Sequence, residues 1–197
     1  IFGSFTVQKN IKAIINLSQE IYNRSTLVSK PDINSIMYIP SETPPAKSQK
    51  SSDIRNRFGI KEDDFVIGRI GRNSDDIFDP IALDAFNKLF SINPSLANRC
   101  HFIIMSPSPK MIEKVKNENI SNVHFLDPSS SEEDVFAFHH SIDCLAHSRL
   151  DGETSGLNIS ESMLCGNPIL THKSHVWNAH LEYLEPTFSR IAEKDDY

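Results

Sequence analysis

The sequence has 197 residues, of which 39% are hydrophobic, and a formal net charge of −6. A chain of this length can bury at least one complete core, and length alone favours one or two domains. The acidic balance and the lack of a basic cluster argue against a nucleic-acid surface, and no apolar run is long enough to span a bilayer. Three widely spaced cysteines, Cys100, Cys144 and Cys165, favour reduced thiols in a cytoplasmic protein over a disulfide framework.

The first 50 residues are predicted to form a segment and linker ahead of the main domain. Apolar residues near helical spacing predict a helix within Lys9–Tyr22, and Met37–Ile39 is predicted to be a short strand. Residues 41–52 read SETPPAKSQKSS, a polar, proline-containing composition typical of a linker. The chain opens with neither a methionine nor a secretory signal, so we expect it to be a fragment.

From residue 51 onwards, strand and helix patterns alternate. The predicted strands are Phe65–Gly68, His101–Met105, Val123–Leu126, Ile142–Ala146, one after Pro168, and Phe188–Ala192 as the sixth. The predicted helices are Asp53–Gly59 with Asp53 as its cap, one with Asp79 at the N-cap and Pro80 at its first position, Lys110–Glu118, Ser131–His139, one from Gly156 or Leu157, and Val176–Leu184. This alternation predicts an α/β, Rossmann-like parallel sheet with helices on both faces. Such sheets bind ligands at the carboxyl ends of their strands.

The stretch LAHSRLDGETSGLNISESMLCGNPIL predicts a strand, loop, helix and strand. If the helix begins near Leu157, the backbone amides of Ser155, Gly156 and Leu157 are unpaired first-turn donors at the positive end of the helix dipole. A diphosphate fits such a turn, and the missing Cβ of Gly156 permits close approach. Glu153 lies in the preceding loop and Glu161 in the second helical turn, so two carboxylates flank the predicted anion pocket.

These residues carry a family resemblance. A run of positions resembles, in order and spacing, the signature of retaining glycosyltransferases of the GT-B fold: Glu153, Gly156, Leu157, Glu161, Met163, Gly166, Pro168 and Ile169. The resemblance implies the C-terminal half of a GT-B fold. Residues 1–50 would then be an interdomain segment and linker from the N-terminal lobe, and residues 51–197 a nucleotide-sugar-binding domain truncated at its C-terminal end. Without the acceptor lobe, we expect such a chain to bind donor weakly and not to turn over.

A second motif, Gly71-Arg72, resembles the family's Gly-Arg at the end of the first strand of this half. There the arginine reaches the donor diphosphate, whose oxygens a guanidinium can bind in bidentate fashion. Family members usually carry a lysine about five residues later, whereas this chain has Asp-Ile-Phe at 76–78. Either Arg69 or an element outside the chain must supply the second positive charge, or diphosphate binding is weak.

Several other polar residues are expected to have structural roles. Asp75, Asp76 and Asp79 are expected to be loop and capping residues rather than site residues. His147 replaces a proline of the family pattern and is expected to be structural, and Thr171–Ser174 is expected to be a solvated loop. The resemblance implies that the strand end at Leu126-Asp127 approaches a nucleotide base, an expectation that rests on position only. None of the eight histidines shows the spacing of a zinc site.

The resemblance implies transfer of a sugar, with retention, from a nucleotide-sugar donor to an unknown acceptor: a glycan, a lipid-linked glycan or a protein. No metal and no further cofactor is expected, and peripheral membrane contact through the other lobe stays open. The expected site residues are Glu153 and Arg72 as catalytic groups, and Glu161, Ser155, Gly156, Leu157 and Gly71 as donor-binding groups.

Two alternatives remain at this point. The first is a non-catalytic Rossmann-like binding or assembly module derived from such an enzyme. The second is a hydrolase in which Glu153 and Glu161 act as an acid and base pair, which requires the two carboxylates to face each other about 5 to 9.5 Å apart.

Overall fold

The computed structural model describes residues 11–28 and 31–193. In chain order its strands and helices are β1 (Ala13–Asn16), α1 (Gln19–Val28), β2 (Ile33–Ile36), α2 (Gln49–Arg57), β3 (Phe65–Ile70), α3 (Ile81–Ile92), β4 (Cys100–Met105), α4 (Pro109–Asn117), β5 (Val123–Leu126), α5 (Glu132–Ser141), β6 (Cys144–Ala146), β7 (Gly152–Glu153), α6 (Leu157–Leu164), β8 (Ile169–His172), β9 (Trp177–Asn178) and β10 (Ser189–Ala192). Short 3₁₀ turns lie at Asp75–Ile77, Pro94–Leu96 and Ala179–Glu182.

Six of these strands form one sheet in the order β10-β8-β6-β3-β4-β5. All its neighbouring strands run parallel, so their carboxyl ends share one edge. The order changes direction beside β3, because the chain first builds outward through β4 and β5 and then returns to β6 on the other side. Ligands of open α/β sheets bind at such a switch point.

The two faces of the sheet carry separate hydrophobic clusters. Ile103 and Met105 pack in the cluster that includes side chains of α2, α5 and α6, whereas Phe102 and Ile104 pack in the cluster of α3 and α4. This alternation is that of a strand buried on both sides. It confirms the predicted Rossmann-like sheet with helices on both faces.

The prediction for the first segment is wrong in its secondary structure. Ala13–Asn16 is a strand that pairs in parallel with Ile33–Ile36, and the helix begins only at Gln19; Lys9 and Asn10 lie outside the described residues. Met37–Ile39, predicted to be a strand, directly follows one. A short run of β-branched isoleucines suits a strand as well as a helix, and pairing with a distant partner decides between them.

Two further boundaries also differ from the prediction. The helix expected to begin at Asp53 starts at Gln49, after Ser48, so residues 49–52 of the expected linker are helical. Val176–Leu184, expected to be a helix, contains the short strand β9 and a 3₁₀ turn. Trp177 and Asn178 pair with Gly152 and Glu153, a long-range pairing that the local pattern does not reveal. The domain boundary near residue 50 stays a prediction.

Within the described ranges, none of the helices has the length and apolar character needed to cross a membrane.

Candidate functional site

A pocket of about 170 Å³ lies at the carboxyl ends of β3 and β6. Residues from three places in the sequence line it: Arg69, Ile70, Gly71, Arg72 and Ile77 after β3, His147, Ser148, Arg149 and Glu153 after β6, and Leu157 and Asn158 at the start of α6. Of the expected site residues, Gly71, Arg72, Glu153 and Leu157 therefore lie together. Ser155, Gly156 and Glu161 do not line this pocket.

Arg69 is the most unusual group in the pocket, because its side chain is a buried cation with unused donors. The residue is 4% exposed, and its Nη2 donates a hydrogen bond to the carbonyl of Ser148 at 3.2 Å. Its Nε and Nη1 have no hydrogen-bond partner among the described residues. Burial, with the nearby Arg149 charge, lowers the pKa of Arg69 to about 10, so the guanidinium remains charged at neutral pH.

Arg72 and Gly71 complete the cationic side of the pocket. Arg72 is exposed. Gly71 lies beside the buried guanidinium, since a Cβ at this position would stand 3.5 Å from Nη1 of Arg69. A glycine here leaves a ligand room to approach Arg69.

Glu153 is held by a short parallel ribbon rather than by a free loop. Gly152 and Glu153 pair with Trp177 and Asn178. Gly152 has φ of +67°, and a Cβ there would lie 1.7 Å from the carbonyl oxygen of Trp177. Only glycine fits this backbone position, so the close approach fixes where the Glu153 side chain starts.

Two donors converge on one oxygen of Glu153. Nε2 of His147 and Nη1 of Arg149 each lie 3.2 Å from Oε1, while Arg149 also binds Asp151 through Nε at 2.6 Å. Burial favours the neutral acid, but the hydrogen bond from His147 and the Arg149 charge outweigh it, so the pKa of Glu153 lies below its ordinary value. Glu153 is therefore a carboxylate at neutral pH.

The start of α6 is formed as the sequence predicts. Gly156 is the N-cap residue, with φ of +84°, and the helix begins at Leu157. The hydroxyl of Tyr183 donates to the carbonyls of Ser155 and Gly156 at 2.8 and 3.1 Å. No backbone acceptor is recorded in the described ranges for the amides of residues 155–157. Ser155 lines a second cavity of about 300 Å³, on the side of the first segment.

Glu161 lies one helical turn beyond Leu157 and Asn158 on α6 and does not line the pocket. Its Oε2 is 3.6 Å from Nε2 of the buried His139 on α5, and its side chain is 17% exposed. The two glutamates of the sequence motif thus contact different histidines. A facing acid and base pair, which the hydrolase alternative requires, has no support from these contacts.

The acidic residues near Arg72 have the capping roles expected of them. Asp75 accepts a hydrogen bond from the amide of Lys110 at 2.9 Å, and Asp79 accepts one from the amide of Ile81 at 3.0 Å. Neither lines the pocket. Ile77, in the segment where the family carries a lysine, is buried and contributes an apolar wall to the pocket instead.

Arg149 and Asn158 are polar pocket residues that sequence reasoning did not find. Asn158 donates through Nδ2 to the carbonyl of Ile70 at 3.4 Å and so joins α6 to β3. The position of Arg149, four residues before Glu153, is the signal that could have indicated it. The expected loop at Thr171–Ser174 begins inside β8, and Lys173 pairs with Glu193 at 2.5 Å.

Solved structures with this architecture show which fold it is. HepE from Anabaena, in complex with UDP and glucose, has a TM-score of 0.73 at 19% identity, over 92% of this chain and 50% of its own. WaaG, a glycosyltransferase involved in lipopolysaccharide biosynthesis, gives 0.69 at 20% identity, over 97% and 51%. The chain has the fold of half a GT-B glycosyltransferase. A glycosyltransferase from Rickettsia africae matches this GT-B half with a TM-score of 0.71 at 12% identity, over 94% and 50%.

The GT-B half spans about half the length of the solved structures it matches. No family model matches its sequence, and no curated protein matches it. The likeness therefore concerns the fold, and the chemistry must be argued from the residues of the pocket.

Proposed function

We propose that this chain is the donor-binding domain of a glycosyltransferase that transfers a sugar from a nucleotide-sugar donor, with retention, to an acceptor. The observation that carries the proposal is the Arg69 guanidinium, which is buried, charged and left with two unpartnered nitrogens. A buried charged group whose donors lack acceptors is costly to a folded protein. A diphosphate bound in the pocket would supply the missing acceptors.

The roles of the other residues follow from their places around that anion. Arg72 would bind the diphosphate from the exposed side, and the unpaired amides of residues 155–157 would approach it at the positive end of α6. As the bond to the sugar breaks, negative charge develops on the departing diphosphate. Fixed cations and amides that already point at this position stabilise the charge without reorganising, which is usually the largest catalytic contribution.

The two glutamates would bind the donor at separate points. Glu153, ionised and within the pocket, would accept from a hydroxyl group of the sugar. Glu161 is kept as the candidate ribose ligand, and its partial exposure beside His139 leaves its carboxylate accessible. Asp127, directly after β5, is kept as a candidate for contact with the base.

The acceptor remains a glycan, a lipid-linked glycan or a protein, and its binding groups are proposed to lie outside this chain. The proposal includes metal-independent chemistry and no further cofactor. It places the protein in the cytoplasm, which the three free thiols support.

Calorimetric or NMR titration of the 197-residue chain with UDP and UDP-glucose tests the donor site. Arg69→Met should lower the affinity for UDP about 100-fold, because charge-assisted hydrogen bonds at a buried cation are lost, and Arg72→Met about tenfold. The matched control is Arg190→Met on the exposed face of β10, which should leave the affinity unchanged. Equal UDP binding by wild type and Arg69→Met would contradict the proposal.

The second candidate function, a non-catalytic Rossmann-like module, is favoured by one observation. Ile77 occupies the wall of the pocket in the segment where the family carries a lysine. Absence of UDP binding by this chain, and by protein made from the whole reading frame, would favour that alternative.

A further inference from the structure

Glu153 and three polar side chains behind it form a hydrogen-bonded row that runs into the interior of the protein. Nε2 of His180 lies 3.4 Å from Oγ1 of Thr171, the same oxygen lies 3.2 Å from Nδ1 of His147, and Nε2 of His147 lies 3.2 Å from Oε1 of Glu153. His147, Thr171 and His180 are all buried. Each comes from a different element: the loop after β6, strand β8 and the 3₁₀ turn at Ala179–Glu182.

The chemistry of the groups assigns a direction to these hydrogen bonds. A carboxylate can only accept, so Nε2 of His147 must carry the proton that it shares with Glu153. In a neutral ring, Nδ1 then accepts from the hydroxyl of Thr171, and this hydroxyl oxygen accepts from Nε2 of His180. Every donor in the row thus points towards Glu153.

The surroundings of the imidazoles keep both rings neutral. Burial lowers the pKa of His147 below its ordinary value; Glu153 acts in the opposite direction, and Arg69 and Arg149 reinforce the lowering. Burial, together with the nearby His147, lowers the pKa of His180 to about 4. Both rings are therefore neutral at physiological pH, as the direction of the hydrogen bonds in the row requires.

The contacts of Glu153 are divided unequally between its two oxygens. Oε1 accepts from both His147 and Arg149, whereas no hydrogen bond to Oε2 is recorded among residues 11–28 and 31–193. A carboxylate held in this way has one oxygen fixed to the protein and the other available to a ligand in the pocket.

We propose that His147 is a positioning residue, which, with Arg149, holds Oε1 of Glu153 so that Oε2 accepts a hydrogen bond from a hydroxyl group of the donor sugar. This inference rests on the proposed donor site. It assigns His147 to recognition of the sugar rather than of the nucleotide, although His147 need not touch the ligand.

Titrations of the 197-residue chain with UDP-glucose and with UDP separate these two kinds of recognition. His147→Leu should weaken UDP-glucose binding about tenfold, the loss expected when a charged acceptor loses a fixed donor, while UDP binding changes less than about twofold. His147→Gln, whose amide can replace the donor at Nε2, should recover most of the loss. Equal weakening of both ligands, or no weakening of either, would overturn the role of His147.

A spectroscopic measurement keeps the inference testable if His147→Leu does not fold. Nitrogen-15 NMR of the wild-type imidazoles reports which nitrogen of each ring carries a proton. Nε2 of His147 should be protonated at pH 7, and its resonance should move in Glu153→Gln, while that of the exposed His175 stays in place. An Nε2 without a proton would overturn the inference.

Failure of the two proposals can be told apart. If wild type binds neither UDP nor UDP-glucose, the proposed donor site itself fails, whatever the protonation of His147. If UDP binds and Arg69→Met abolishes binding, but His147→Leu does not discriminate between the ligands, only the positioning role fails.

Discussion

Two arginines with little exposed surface lie at opposite ends of the sheet, Arg69 buried and Arg55 partly buried, and their surroundings differ. Arg55, at the amino ends of the strands, donates to the carbonyls of Ser141, Lys61 and Asp64 and to the carboxylate of Asp143. Arg69, at the carboxyl ends, donates to one carbonyl and leaves Nε and Nη1 without partners. Both are long cationic side chains removed from water, but only one is satisfied by the protein.

The difference separates a structural charge from one that is available to a ligand. Arg55 joins the turn before β3 to the turn before β6, so its hydrogen bonds hold the fold together. Arg69 occupies the corresponding position at the opposite edge, where the fold gains little from it. Buried donors without partners are rare in native proteins, and the two on Arg69 lie at the edge of the α/β sheet where the donor is proposed to bind.

The largest expected effect comes from removing the satisfied arginine. Arg55→Met should lower the free energy of unfolding by about 4 kcal/mol, because several backbone carbonyls lose a charged donor and the Asp143 carboxylate keeps, among the described residues, only its hydrogen bond from the amide of Val66. Arg69→Met should leave that free energy unchanged or raise it by up to about 1 kcal/mol, since an unsatisfied buried charge is removed. Urea denaturation followed by circular dichroism measures both values.

Arg72→Met serves as the control for this pair, because its side chain is exposed and should change stability by less than about 0.5 kcal/mol. A loss in Arg69→Met as large as that in Arg55→Met would show that the two arginines are equivalent. The comparison would then say nothing about a ligand.

A smaller loss of stability is expected when alanine replaces a glycine at either edge of the sheet. Gly152 and Gly166 both have positive φ, but a Cβ at Gly152 would meet the Trp177 carbonyl oxygen at 1.7 Å, whereas nothing lies within 4 Å at Gly166. Gly166→Ala should cost about 1 kcal/mol from backbone conformation alone. Gly152→Ala should cost about 3 kcal/mol and also weaken UDP-glucose binding by displacing Glu153. Thermal denaturation compares the two variants, and equal losses would argue against a tight ribbon at the site.

Acid should also lower the stability of the protein, and buried histidines at both edges contribute to the loss. Burial, with a nearby histidine, lowers the pKa of both His180 and His124 to about 4. Between that value and the ordinary 6.5, the unfolded chain binds more protons than the folded one. Stability therefore rises with pH across this window and is lost on acidification, by on the order of 2 kcal/mol for each ring between pH 7 and pH 4.5.

Urea unfolding at a series of pH values measures this loss. His124→Phe keeps the stacking against Phe58. It should remove the part of the acid-induced loss of stability that arises at the amino edge, without affecting nucleotide binding. His175→Gln, at an exposed position, should leave the pH profile unchanged. A profile that is flat between pH 7 and pH 4.5 in the wild type would contradict the neutral state of the buried rings.

The sheet and the start of α6 could be predicted from sequence because their signals are local. Val123–Leu126 has the predicted bounds, and Gly156 ends the loop where its sequence position indicated. The pairing of β7 with β9 could not be predicted, because it joins segments with no shared pattern. The same holds for the contacts of Glu153 with His147, whose partner Thr171 lies on another strand, and for the buried state of Arg69.

One carboxylate outside the pocket links the first segment of the chain to this site. Glu182 accepts hydrogen bonds from the amides of Gln19 and Glu20 at 3.0 and 2.8 Å, while Glu20 accepts one from the amide of Asn178 at 2.6 Å. The next residue, Tyr183, supports the carbonyls of the loop before α6. A displacement of α1 would therefore be transmitted through Glu182 and Tyr183 to the backbone at the start of α6.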